Sequence, residues 1–490
     1  MARIYVQGDR FVDHQGRHVI LRGINLVHKG NRENQVMNYI PSWDESVFNN
    51  FKNWGFNVVR LGIIWDAIEP RPGEYNEQYL DWVGRMLDLC EKYGLYAYLD
   101  MHQDLFSVLY SDGAPEWATI TDGQSHVKGE LWSDAYIFSG AVKRAFDNFW
   151  NNTLAPDGIG LQDHYINMWV YIAKRFGGHP ALIGYDFFNE PFPGSESTAI
   201  FETLMLVLVK TVNQAMGTQY TLEDVIEMFS QPDKKMEILD FLEDKEIYKS
   251  IAKAAEPLVE KFDKGKLDTF YRKVSQAVRE VDRDTIIMRE NSYFSNIGIE
   301  CKAEPIVNKN GIREPQQAFS PHGYDLVVDT EGVQWASNNR IEVIFETHRR
   351  TQISMGVPVM VGEWGAHGNY SDGLYHIEHI LQIFDKYLWS STYWCYFHGF
   401  ENAPVLEILK RPYPQAVCGQ ILFFNYDYQL KEFNMEWDEK DGNVATLIYL
   451  PQKEFKIHDI EDYSVELLDE SALVIIEPTG HKRSIKISLY

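Results

Sequence analysis

The feature that most constrains this chain is a rhythm. Short, nearly unbroken apolar runs recur eight times between residues 18 and 400, with amphipathic stretches between most of them. The runs are HVILRGINL (18–26), FNVVRLGIIW (56–65), LYAYLDMHQD (95–104), ALIGYDFFNEP (181–191), DTIIMREN (284–291), QAFSPHGYD (317–325), VPVMVGEWG (357–365) and STYWCYFHG (391–399). Runs that stay apolar at successive positions suit strands covered on both faces, as in parallel sheets. The stretches between them have helical spacing. ESVFNNFKNWG (45–55) and YLDWVGRMLDLCEKYG (79–94) each end on a glycine, a helix stop signal. Eight such units predict an α/β fold, a (β/α)8 TIM barrel. A doubly wound open sheet is the structural alternative, but no GxGxxG or Walker-type loop follows any run.

Two regions break the rhythm. Residues 195–280 are mostly helical and lie between the fourth and fifth runs, which predicts an insertion at the barrel rim. It could be a lid, an apolar wall for a bulky substrate, or a helical bundle without a role at the site. From about residue 405 the texture changes to short strand-like segments, ILFFNYDY, NVATLIYL, SALVIIEP and RSIKISLY, separated by turns such as DGN and TGH. The expected organisation is a catalytic barrel over 1–404 and a C-terminal β-sandwich over 405–490 that caps it.

The chemistry lies where the runs end. In a barrel, catalytic groups gather at the C-terminal ends of the strands. Here those ends carry Arg60, His102-Gln103-Asp104, Asn189-Glu190, His322 and Tyr324, Glu363, and Trp394. Glu190 follows Phe187-Phe188-Asn189, and Glu363 shares its alternation parity with Val357, Val359 and Val361. Two carboxyls facing each other across a cavity are the minimum apparatus for glycoside hydrolysis. One must be protonated for the leaving oxygen and the other ionised, so their environments must push their pKa values apart. Arg60 and the Tyr324 hydroxyl are candidates for holding one of them ionised. Arg60 is costly to bury and needs an anionic partner, for which Asp186 is available. Strict alternation would send Asn189 and Glu190 to opposite faces, so the fourth strand must bulge or twist at its end.

The elements RLGIIW around Arg60, DMHQD around His102, FFNEP, SPHGYD, GEWG and TYWCY occur in one order across residues 18–400. Together they resemble glycoside hydrolase family 5. The resemblance implies a retaining mechanism with Glu190 as acid/base and Glu363 as nucleophile. It places Asn189 at the sugar 2-hydroxyl, with Arg60, His102, His322 and Tyr324 supporting the pair. INLVHKGN, DMHQDLFS, DGAPEWA and RPYPQAVCG (411–419) look like the endoglycoceramidase branch, which includes β-glucosidases and glucosylceramidases. In that branch Lys29 and Asp104 would contact the sugar and Trp394 would form a platform under the ring.

The net charge of −25 argues against nucleic-acid phosphates or anionic lipid surfaces as partners. The expected partner is a small glycoside or a glycolipid. Four scattered cysteines show neither zinc-type spacing nor a disulfide framework. No cofactor or metal is expected, because two carboxylates suffice and the first run lacks the HxH of a metal-dependent barrel hydrolase. A non-catalytic sugar-binding barrel would be expected to lose one of the two acids. The N-terminal residues lack the apolar core of a secretory signal and no unbroken run of membrane-spanning length is visible, so a cytoplasmic location is the expectation.

Overall fold

The computed structural model describes all residues except 34–35, 231, 329, 331 and 440–441. The eight runs form one parallel sheet: β1 (Arg22–Leu26), β2 (Val58–Ile64), β3 (Tyr96–His102), β4 (Leu182–Asp186), β5 (Ile286–Arg289), β6 (Gln317–Phe319), β7 (Met360–Val361) and β8 (Ser390–Tyr393). Consecutive strands from β1 to β6 are neighbours, and β8 pairs with both β1 and β7. A parallel bridge between Phe319 of β6 and Val359, just before β7, closes the ring. The sheet is therefore a barrel and not a doubly wound sheet. The continuations of β6 and β7, His322–Gly323 and Glu363–Trp364, pair with each other, His322 opposite Glu363.

Amphipathic helices cover the outside as the spacing predicts. Glu77–Tyr93 is capped by the Asn76 side chain and stopped by Gly94 in the left-handed conformation. It turns Leu80, Val83, Met86 and Leu87 inward, all buried. Each such side chain contributes about 1.5–3 kcal/mol when fully removed from water. The four cysteines are free thiols.

The first run divides. His18–Val19 leaves the barrel and pairs antiparallel with Ala416–Val417, and the barrel strand begins at Arg22. With Ile4–Gln7 and Arg10–Asp13, these residues form three strands of a seven-stranded sheet completed by strands after residue 412. The sandwich thus takes in residues from both sides of the barrel. It encloses its own core, including Ile20, Val417, Phe424, Trp437 and Ile487. It is fastened to the barrel by Asp385, which accepts from both Arg22 of β1 and Arg411, all three buried. Arg22 stacks over Tyr413 and Arg411 over Tyr428, which gives the guanidinium faces apolar cover.

The insertion folds as helices Ser197–Met216, Leu222–Ser230, Pro232–Phe241 and Lys245–Phe262, followed by a π-helical turn that leads into the barrel helix Asp268–Arg279. One helix, Gly194–Met216, is long and apolar enough by length and composition to cross a membrane. It also carries Glu202 and Lys210 and buries Met205, Leu208 and Val212. Tyr248 of Lys245–Phe262 donates to the Ile297 carbonyl at 2.8 Å, tying the insertion to the short turn of helix that follows β5.

Candidate active site

The polar strand ends meet at one end of the barrel, organised around one buried cation. Arg60, central in β2, is fully buried. It donates to Glu363 Oε1 at 2.5 Å, to Asn25 at 3.1 Å and to Asn189 at 2.9 Å. It also pairs with Asp186 at 2.9 Å, Glu290 at 2.9 Å and Asp100 at 3.0 Å. Asp186, and Glu363 as the acid to be held ionised, were expected from sequence; Glu290, Asp100 and Asn25 were not. A buried guanidinium with these donors satisfied is what allows so many acids under one mouth. Several His–carboxylate triplets here have metal-binding spacing, such as Asp100–His102–Glu363 and Asp186–Glu290–His322. Three of the four among the described residues include a carboxylate that Arg60 neutralises, and in the fourth, His102–Asp104–Asp112, both carboxylates lie against Lys29.

The fourth strand's register shifts early, between Leu182 and Gly184, and at its end the strand stops. Its ladder ends at Asp186, and residues 187–190 curl away. Glu190 adopts φ 47°, a left-handed conformation that costs a non-glycine residue about 1–3 kcal/mol. That curl lets Asn189 and Glu190 face the same side. The amide of Glu190 donates to Glu290 Oε2 at 2.7 Å, which fixes the strained turn. Asn189 is held by Arg60 on its oxygen and donates to the Gln103 carbonyl at 3.1 Å.

The two predicted acids face each other. Their oxygens and a nitrogen of His322 all lie within 4.8 Å of one another. His322 Nδ1 is 3.1 Å from Glu190 Oε1 and 3.6 Å from Glu363 Oε2. Its Nε2 is 3.3 Å from Glu290. The Tyr324 hydroxyl donates to Glu363 Oε2 at 3.0 Å. Gly362 leaves room for this packing, since a Cβ there would stand 2.8 Å from His322 Nε2.

Their environments split the acids as the chemistry requires. Burial pushes the Glu190 carboxyl up, helped by the nearby Glu363 charge, and His322 only partly opposes this; the result is about 7. Burial also pushes Glu363 up, but the charges of His322, Arg60 and His102 and the Tyr324 hydrogen bond outweigh it and hold Glu363 near 2. Burial works against protonation of His322, yet Glu290, Glu363 and the bond to Glu190 raise its pKa well above the ordinary histidine value. Near pH 5 the site therefore holds a neutral Glu190, an ionised Glu363 and an imidazolium between them.

The predicted sugar contacts assemble beside this pair. His102 Nδ1 bonds Asp100 at 2.9 Å, and its ring stacks on Trp394 with centroids 5.1 Å apart. Lys29 bonds Asp104, and its Nζ lies 5.1 Å from the centre of the Trp394 ring. The buried Asp112, which sequence reasoning missed, accepts from the Asp104 amide at 3.1 Å and stands 3.9 Å from Lys29. Also missed was Asn296, whose amide donates to Glu190 Oε1 at 2.7 Å. Every site residue expected from sequence reaches this mouth. Alongside Glu190 stands an aromatic wall: Tyr136 and Tyr293 have ring centroids 4.7 Å apart, and the exposed Trp132 lies 6.2 Å from Tyr136.

Comparison with known proteins agrees with this geometry. An endoglycoceramidase of Cyanea nozakii is 31% identical over 210 residues, covering 38% of this chain and 41% of that protein. A glucosylceramidase of Aspergillus fumigatus is 27% identical over 253 residues, covering 40% of this chain and 33% of that one. The chain thus aligns with less than half the length of these curated relatives. In three dimensions, endo-glycoceramidase II from Rhodococcus sp. superposes with a TM-score of 0.73 and 25% identity, covering 98% of this chain and 99% of that one. A profile described as glycoside hydrolase family 5 C-terminal domain matches residues 411–487. The profile described as Cellulase (glycosyl hydrolase family 5) matches residues 12–232 and 245–398, most of the chain and all eight barrel strands, and the chain belongs to that family.

Proposed function

We propose that this protein is a retaining β-glycosidase whose substrate is a β-glucoside with an apolar or lipid aglycone. The observation that carries the mechanism is the separation of the two acids. An oxygen of each carboxyl lies within 4.8 Å of the other's, an approach in keeping with retaining pairs, whose carboxyls stand about 5–5.5 Å apart, rather than with inverting pairs at about 6.5–9.5 Å. Glu363, ionised and aimed by Arg60 and Tyr324, attacks the anomeric carbon. Glu190, neutral, delivers its proton to the leaving oxygen. Glu190, now a carboxylate, then takes a proton from water, which attacks the glycosyl–Glu363 ester and regenerates both acids. Asn189, Lys29, Asp104 and Trp394 hold the sugar, and Trp132 and Tyr293, backed by the buried Tyr136, receive the aglycone.

Replacing Glu363 with Gln should lower the rate on an activated aryl β-glucoside by on the order of 10⁴-fold or more. Undiminished hydrolysis would remove the nucleophile assignment. A second reading, release of an intact oligosaccharide from a glycosphingolipid, is favoured by the similarity to endoglycoceramidases along nearly the whole chain. Product analysis on lactosylceramide and glucosylceramide separates the two readings. Free lactose supports endo cleavage; glucose released from glucosylceramide while lactosylceramide stays intact supports a glucosidase that acts on single residues.

A further inference from the structure

Two side chains after the fifth strand touch Glu190, and the mechanism above gives neither a role. Glu290 directly follows β5, and Asn296 lies in the short 3-10 segment Tyr293–Ile297. We propose that Glu290 and Asn296 form a clamp that decides which oxygen of Glu190 carries the catalytic proton. This inference rests on the assignment of Glu190 as the acid/base.

The clamp grips both ends of the residue. Glu290 Oε2 accepts from the Glu190 backbone amide at 2.7 Å, and Glu290 Oε1 accepts from Arg60 at 2.9 Å. Glu290 thereby anchors the left-handed backbone of Glu190 to the central cation of the site. At the other end, Asn296 Nδ2 donates to Glu190 Oε1 at 2.7 Å. The amide cannot turn over without loss, because Asn296 Oδ1 accepts from Asn291 Nδ2 at 2.7 Å. His322 Nδ1 points at the same Oε1 from 3.1 Å and is backed by Glu290 at 3.3 Å. Oε1 of Glu190 therefore faces two donors and has no capacity for a proton of its own. Oε2 makes no hydrogen bond among the described residues and is left as the oxygen that carries the proton. A carboxyl with both oxygens equivalent would present its proton to the substrate only part of the time. Here the choice is made before substrate arrives.

Glu290 and Asn296 act through Glu190, so they are positioning residues, and the test must read proton delivery and not general damage. We would compare kcat/KM of the wild type, Asn296→Ala, Asn296→Asp and Glu290→Gln on two aryl β-glucosides. One carries a 2,4-dinitrophenol leaving group, which departs without protonation; the other carries a poor alkyl-phenol leaving group. Thermal melting of each variant is followed alongside. The expected result is a loss of about 10²-fold on the poor leaving group with less than about 5-fold on 2,4-dinitrophenol, the scale of lost general-acid catalysis. Asn296→Asp, which keeps the shape but replaces the donor with an acceptor, should be no better than Asn296→Ala. Equal losses on both substrates, or no loss on either, would overturn the clamp. Should the wild type itself discriminate between leaving groups no more than a Glu190→Ala variant does, the acid/base assignment fails and not merely the clamp.

Discussion

At the scale of single residues, the site is a problem in keeping two glutamates apart in protonation while holding them together in space. Glu363 ionises near 2 and Glu190 loses its proton near 7, so kcat/KM should rise and fall around those two values. The raised acid has a thermodynamic signature too. Glu190 has a folded pKa above its unfolded value near 4.5, so the fold loses stability as pH rises from that value through about 7. Glu190→Gln should therefore melt higher than the wild type at pH 8, by about 1–3 kcal/mol, and equally at pH 4. Equal melting at both values would contradict a raised acid. The two catalytic acids were readable because each sits at the end of an apolar run, where packing gives no reason for a charge. Glu290 carries the same signature, at the end of the run in IIMREN, and was not singled out. Asp112 and Asn296 lie in segments with no periodicity, so their approach depends on loop paths that no local pattern encodes.

At the scale of elements, the strands were legible because continuous apolar runs have few alternatives once eight of them recur with helices between. Their ends were less so. Alternation says nothing about where a ladder stops, and of the bulge or twist that parity called for, the chain makes a curl after Asp186. The sequence left the inserted helices open as lid, wall or bundle without a role at the site, and the structure adds that they brace the turn after β5. Tyr248 holds the Ile297 carbonyl, next in sequence to Asn296, and Tyr248 is itself buried. Tyr248→Phe removes one hydrogen bond from that brace and strands a carbonyl, at a cost of about 1–3 kcal/mol. The activity loss should again be larger for the poor leaving group. A variant that melts lower but keeps the wild-type ratio between the two substrates would show that the brace supports the fold alone.

At the scale of the whole molecule, barrel and sandwich are not separable along the sequence. Chain 1–404 would leave His18–Val19 paired only with Arg10–Asp13, without its partner Ala416–Val417, and Asp385 without Arg411, exposing the faces over Ile20 and Leu21. Expressed alone it should aggregate, and co-expression with 405–490 should recover soluble, active enzyme. A soluble, monomeric 1–404 fragment that melts like the full chain would contradict this. Sequence reasoning placed the boundary at 404 because the change of texture there is local, whereas the pairing of residues 4–19 with the far end of the chain leaves no local mark. That pairing has a consequence for synthesis. The strands at residues 4–19 cannot complete their sheet until Tyr413–Val417 has been made. At bacterial or eukaryotic elongation rates this is a wait of roughly 20–80 seconds. Through that interval the nascent barrel carries an unpaired strand edge at its start. The later-made Tyr413–Val417 therefore closes that sheet, and slowing elongation should increase chaperone dependence of the newborn chain rather than relieve it.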